Sequence, residues 1–180
     1  MDDSGLPAEK DFQLHDFLRE EIAKNDLVIT ADFGHGAISE GIRQVLIDES
    51  PFLTINTQAN AGKGGFHTVN KYSRADYASI AGPETKLKMH DIVGKIKPMM
   101  DVIASKMDCT HFVVTRGKKG CIVRSRDGAF IEIPAFAQKV VDRIGAGDAF
   151  FSITALASYL DAFPEFIGKP WGRICVSCPA

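Results

Sequence analysis

Val140-Val141-Asp142-Arg143-Ile144-Gly145-Ala146-Gly147-Asp148-Ala149-Phe150 is the stretch on which the fold turns. Two β-branched residues end an extended segment, and a glycine-flanked turn follows. Phe150, Phe151, Ile153, Thr154, Leu156, Ala157 and Leu160 then recur at helical spacing, so the turn opens a helix. The first N–H groups of a helix lack internal acceptors and carry the positive end of its dipole. Gly145 and Gly147 have no side chains, so an anion can approach those groups closely. Asp148, at the same spot, can take a proton from a hydroxyl held beside the anion. An anion cradle with an adjacent base is what phosphoryl transfer to an alcohol needs. The alternative is a tight strand-to-helix turn in which Asp148 is only a favourable first-turn charge.

Upstream, the chain reads as alternating helices and buried strands. Residues 1–8 form a polar, flexible lead. Phe12, Leu14, Phe17, Leu18, Ile22 and Ala23 predict a helix over Glu9–Lys24. Leu27–Ala31 is a buried-type strand, and the glycine-rich loop Asp32–Gly36 follows. Ser39 caps a helix running to about Asp48. Phe52–Asn56 is a second buried strand, giving the rhythm of a parallel α/β sheet. The polar loop 57–68 is long enough to be functional or mobile. Val69–Ala75 reads as a short helix and Tyr77–Ile80 as a third strand. Gly82-Pro83-Glu84 opens a helix. Asp91 starts a longer one towards Met107, with Pro98 expected to kink or divide it. Thr110–Thr115 is a fourth strand. Cys121–Arg126 and Ala129–Ile133 flank Asp127-Gly128, a strong hairpin turn.

The chain's 180 residues fit one domain. With 45% hydrophobic and 24% charged residues it is globular. A net charge of −2 without a long basic stretch argues against a dedicated nucleic-acid or membrane-surface protein. No apolar run approaches a bilayer span, and the acidic start is unlike a secretory signal. Four cysteines do not suggest a disulfide scaffold, so a reducing, cytoplasmic location is the default.

Parallel sheets collect ligands at the carboxyl ends of their strands. Asp32, Asn56, Thr115 and Gly145 each follow a candidate strand, so their loops could share one rim. Thr115-Arg116-Gly117-Lys118-Lys119-Gly120 could position nucleotide phosphates through Thr115 and glycine N–H groups, or be an ordinary turn before a hairpin. Glu84 could hold a Mg²⁺-bound water, or be a first-turn charge. Asp32 could serve the site or cap the turn at Gly34. His35, Lys63 and His67 could meet an anion or be solvated. Cys175 and Cys178 have zinc-ligand spacing, but a closed site needs four ligands, so Cys109 and Cys121 would have to join them.

Thr115–Gly120, a hairpin, and then Asp142–Phe150 resemble the ribokinase-type (PfkB) carbohydrate kinases in order and distance, over roughly Leu27 to Leu160. The resemblance implies a partial three-layer α/β/α Rossmann-like fold, with a mostly parallel sheet and a β-hairpin before the catalytic helix. It implies ATP-dependent phosphorylation of a sugar or sugar-phosphate hydroxyl. Asp148 would be the base, and the N–H groups of Gly145, Ala146 and Gly147 the anion hole. Thr115, Gly117 and Gly120 would line the nucleotide site. Glu84 would link to Mg²⁺ through water. The loop Ala31–Gly36 looks most like the branch acting on heptose phosphate.

This sequence departs from the family pattern at several places. Ala81 stands where the family's Asn-x-x-Glu motif has asparagine. Arg143 and Ile144 stand where threonine and another small or polar residue are frequent. Asn56-Thr57-Gln58 stands where the heptose-type kinases resemble Asp-Pro-Lys, and His35 replaces a loop lysine. The family's Gly-Gly sugar-binding motif and β-lid are not visible, and residues 169–180 read as an atypical tail. The expected organisation is a partial kinase domain over 9–168, a fragment without the sugar-binding half. Its exposed core would favour a homo-oligomer. A catalytically incomplete nucleotide-binding or interaction module is the alternative.

Overall fold

The computed structural model describes residues 5–58, 69–83, 85, 95–135 and 145–162. The amino-terminal half winds as α1 (Ala8–Ile22), β1 (Val28–Asp32), α2 (Glu40–Glu49) and β2 (Leu53–Thr57). A 3₁₀ turn (Val69–Lys71) then leads to β3 (Arg74–Ala81), α3 (Ile96–Ala104) and β4 (Asp108–Thr115). A second 3₁₀ turn (Gly117–Lys119) precedes the hairpin β5 (Cys121–Ser125) and β6 (Phe130–Ile133), and α4 (Ala146–Tyr159) closes the set. One six-stranded sheet has the order β1-β2-β3-β4-β5-β6. The pairs from β1 to β4 are parallel; β4–β5 and β5–β6 are antiparallel. This is an α/β fold whose mostly parallel sheet carries an antiparallel hairpin at one edge. Among the described residues no helix is long and apolar enough to cross a membrane.

Side-chain alternation splits the core into two layers. Ile55, Ala78, Phe112 and Val114 face α1, α2 and α3 through Ile22, Ile42, Leu46, Met100 and Ile103. On the opposite face Tyr77, Val113, Cys121, Val123 and Ile133 pack under Phe150, Phe151 and Ala155 of α4. β2 is buried along its whole length, its polar Thr54, Asn56 and Thr57 included.

Local signals hold where they act over a few residues. Ser39 is the N-cap of α2, its hydroxyl accepting from the Ile42 N–H at 3.1 Å. The hairpin turns at Asp127-Gly128, with Gly128 at φ +87° and the Asp127 carboxylate accepting from the Ala129 N–H. In α1 the stripe Leu14, Leu18, Ile22, spaced four residues apart, faces the core, leaving Phe12 and Phe17 exposed.

Two expectations are corrected. Val69–Ala75 is no helix beyond the turn Val69–Lys71, because β3 already begins at Arg74. The Arg74 guanidinium donates to Asp76 within the strand and to the carbonyls of Ile47 and Ser50 at the end of α2, which fix the strand's start. Pro98 neither kinks nor divides a helix. It sits in the first turn of α3, where a missing N–H costs nothing.

Candidate active site at the N-terminus of α4

The orientation of α4 follows from four contacts. Near its start, Asp148 meets Gln58, just past the carboxyl end of β2, at 2.8 Å. In its middle, Thr154 meets the Tyr77 hydroxyl of β3 at 2.6 Å. Near its end, Ser158 meets His111 of β4 at 3.2 Å, and the Tyr159 ring packs edge-on against Phe52, which precedes β2. The helix therefore runs antiparallel to β1–β4, and its positive end lies over the carboxyl rim of the parallel strands. Phe150 and Phe151 anchor it, both fully buried, with Phe151 stacked on Tyr77 at 6.0 Å. Burying each phenylalanine contributes about 1.5–3 kcal/mol.

The first turn is open. Gly145 is the N-cap in the left-handed region, at φ +75°, and among the described residues no side chain caps the helix. The first helical bond runs from the Ala149 N–H to the Gly145 carbonyl. Helix geometry thus leaves the N–H groups of Ala146, Gly147 and Asp148 without an intrahelical acceptor. Among the described residues a Cβ built at Gly145 or Gly147 meets nothing within 4 Å, so the space beside those donors suits a tetrahedral anion. Asp148, on the same first turn, is exposed, and its Oδ1 accepts from Gln58 Nε2 at 2.8 Å.

Thr115 ends β4, paired with Ala81 on one side and Cys121 on the other. Gly117–Lys119 is an exposed turn after it. Gly120 is buried, and its N–H donates to the Gly117 carbonyl at 2.9 Å. A Cβ there would lie 1.9 Å from the Ile133 carbonyl oxygen, so this glycine lets the loop cross the exit of β6. Arg116 reaches across to Glu132 at 3.1 Å, and Lys97 meets the same carboxylate at 2.7 Å; these partners hold the Glu132 carboxyl below its ordinary range.

Asp32 does cap its turn: its carboxylate accepts from the Gly34 N–H at 3.1 Å. The other oxygen accepts from the Tyr72 hydroxyl at 2.9 Å, and burial together with that carboxylate pushes the phenol's pKa up. Sequence reasoning missed this buried pair, because its partners lie forty residues apart. It places Gln58 where the heptose-type pattern resembles lysine but gives no sign of its contact with Asp148, which spans ninety residues. Asn56 is buried with its amide donating to the Ser79 carbonyl, while among the described residues its own Oδ1 has no partner. His35 is exposed.

Glu84, Lys63, His67, Asp142–Ile144, Cys175 and Cys178 lie outside the described residues. Cys109 lies six residues along β4 from Thr115, the partner of Cys121, a separation of roughly 20 Å at 3.3 Å per residue. Those two thiols cannot share one zinc. Among the described residues no group of three or more His, Cys, Asp or Glu could hold a metal ion.

Residues 72–170, more than half of the chain, match the model of the pfkB family of carbohydrate kinases. The chain belongs to that family. It is 26% identical over 148 residues to the bifunctional protein HldE of Geobacter metallireducens, covering 78% of this chain and 29% of that protein. The fold is similar to phosphofructokinase-2 of Escherichia coli in complex with potassium, with a TM-score of 0.72 and 12% identity, over 91% of this chain and 53% of that one. It is also similar to ribokinase of Thermotoga maritima, with a TM-score of 0.65 and 15% identity, over 83% and 48%. The pfkB chain described here thus spans less than a third of that curated relative and about half of those solved structures.

Proposed function

We propose that this chain carries the phosphoryl-transfer rim of a kinase that uses ATP to phosphorylate a sugar or sugar-phosphate hydroxyl. The observation that carries the proposal is the uncapped N-terminus of α4 over the carboxyl rim, with Asp148 on its first turn. In this reading Asp148 takes the proton as the hydroxyl oxygen bonds to the γ-phosphorus of ATP and the bond to the β-phosphate oxygen breaks, leaving ADP. The N–H groups of Gly145, Ala146 and Gly147 stabilise charge on the transferring group, since fixed donors need no reorganisation as charge develops. Thr115, Gly117 and Gly120 are assigned to the nucleotide's side of the site. Mg²⁺, when bound, would neutralise phosphate charge, with Glu84 as its water-mediated carboxylate. Among acceptors, a heptose phosphate is favoured by the loop Ala31–Gly36 and by the HldE similarity.

Ala81 favours a second reading. It ends β3 on the same rim, paired with Thr115, and its methyl offers no polar contact to phosphate or metal. A nucleotide-binding module without turnover would be built this way. ADP release, measured with a panel of sugars and sugar phosphates, separates the two. The kinase reading expects release with at least one acceptor and its loss in Asp148→Asn. ATP binding by calorimetry with no release for any acceptor would replace it with the second reading.

A further inference from the structure

We infer that Gln58 is the positioning residue for Asp148: it holds the carboxylate by Oδ1 and leaves Oδ2 to take the proton. The inference rests on the reading of Asp148 as the base. Gln58 Nε2 donates to Asp148 Oδ1 at 2.8 Å, and among the described residues Oδ2 has no hydrogen-bond partner. Gln58 is itself held in place. It follows β2 directly, and its N–H donates to the Asp32 carbonyl at 3.1 Å. Asp32 is buried and tied by the Tyr72 hydroxyl and the Gly34 N–H. A chain of bonds thus runs from the core to the exposed carboxylate through Gln58.

The residue type suits the task. An exposed aspartate in a helix's first turn samples several rotamers. One donor that selects among them makes the near-attack geometry more frequent. A lysine at this position would also orient the carboxylate, but its full positive charge would favour the ionised form and weaken it as a base. The amide of Gln58 donates without that charge. In this chain the neutral donor stands where the heptose-type pattern resembles lysine, so the change alters the chemistry of the base and is more than a lost contact.

The test uses the full chain and two readouts. The first is the side-chain amide resonances of Gln58 by NMR, which need no turnover. They are expected to shift in Asp148→Asn, and unchanged resonances would overturn the inference. The second is ADP release with ATP and the best acceptor of the sugar-phosphate panel. Gln58→Ala should lower kcat about fivefold, the size of one exposed charge-assisted bond, with KM for ATP unchanged. Gln58→Glu, isosteric but like-charged, should lose more. In the Asp148→Asn background Gln58→Ala should have no further effect. An equal loss in both backgrounds would mean that Gln58 does not act through Asp148. If Asp148→Asn turns over at the wild-type rate, the base assignment fails and the inference with it. If Asp148→Asn is inactive while Gln58→Ala is unimpaired, only the inference fails. Both Gln58 variants change an exposed side-chain contact, so unaltered melting temperatures are expected for each.

Discussion

Gly120→Ala should damage the fold far more than Gly117→Ala, although both glycines sit at positive φ in the same turn. At Gly120 two costs coincide. Its φ of +77° with ψ of −139° lies where residues with side chains rarely go, worth about 1–3 kcal/mol. Its Cβ would sit 1.9 Å from the Ile133 carbonyl oxygen, 2.6 Å from the Pro134 carbonyl carbon and 2.7 Å from the Ala135 nitrogen. All three are backbone atoms, so no side chain can swing aside, and forcing the loop and β6 apart costs about another 1–3 kcal/mol. The total is about 4 kcal/mol. Gly117, at φ +57°, has nothing within 4 Å of a Cβ, so only the left-handed penalty of about 1–2 kcal/mol applies. For a chain of this length each kcal/mol moves Tm by about 2–4 °C. Thermal melts followed by circular dichroism should therefore show a fall of about 8–16 °C for Gly120→Ala, and of about 2–8 °C for Gly117→Ala. Equal shifts for the two would refute the packing argument. Loss of ATP binding by Gly120→Ala at a temperature where it remains folded would point instead to a direct nucleotide role for that glycine.

Other perturbations separate stability from chemistry. Phe151→Ala removes a fully buried ring stacked on Tyr77 and should cost about 3–5 kcal/mol in urea denaturation, while the weaker Phe151→Leu should retain the fold. Burial lowers the His111 pKa below its ordinary value of 6.5, an effect partly offset by Asp161. The unfolded imidazole then gains its proton first, so its contribution to stability is complete above 6.5 and declines as pH falls from there to the folded pKa. His111→Gln should flatten denaturation midpoints across that interval, and an unchanged pH dependence would contradict this. Burial pushes the Cys121 thiol up to about 11 and Cys109 up to about 12. Both should alkylate in the native protein at neutral pH only as fast as it opens; labelling at the rate of an exposed thiol would overturn their placement.

Whatever depends on a few neighbouring residues was legible in the sequence. Ser39 announces a cap, Asp127-Gly128 a hairpin, and Phe52–Asn56 a buried strand, which runs from Leu53 to Thr57, because each signal is carried by neighbouring residues. The glycine turn before Phe150 likewise marked the start of α4, and Gly145 occupies the left-handed N-cap that a side chain would strain. What escaped depends on contacts distant in sequence. The start of β3 is fixed by Arg74 reaching the carbonyls of Ile47 and Ser50. Pro98 was read as an interruption because periodicity does not tell the first turn of a helix from its middle. Gln58 stands out in the sequence only as a replacement for the lysine of the heptose-type pattern, and the antiparallel passage of α4 across the sheet is what brings Asp148 within 2.8 Å of it. Asp32 carried two readings in the sequence, and the Gly34 N–H on its carboxylate bears out the capping one.

The central claim is that Asp148 and the open first turn of α4 form a phosphoryl-transfer site. Single-turnover transfer from γ-labelled ATP to the sugar-phosphate panel, run beside calorimetry of ATP binding, tests it most directly in Asp148→Asn. Nucleotide binding should persist, because the anion-facing N–H groups are untouched. Transfer should fall by about 10²–10⁴, the range expected for a positioned general base. Transfer by Asp148→Asn at the wild-type rate would contradict the account.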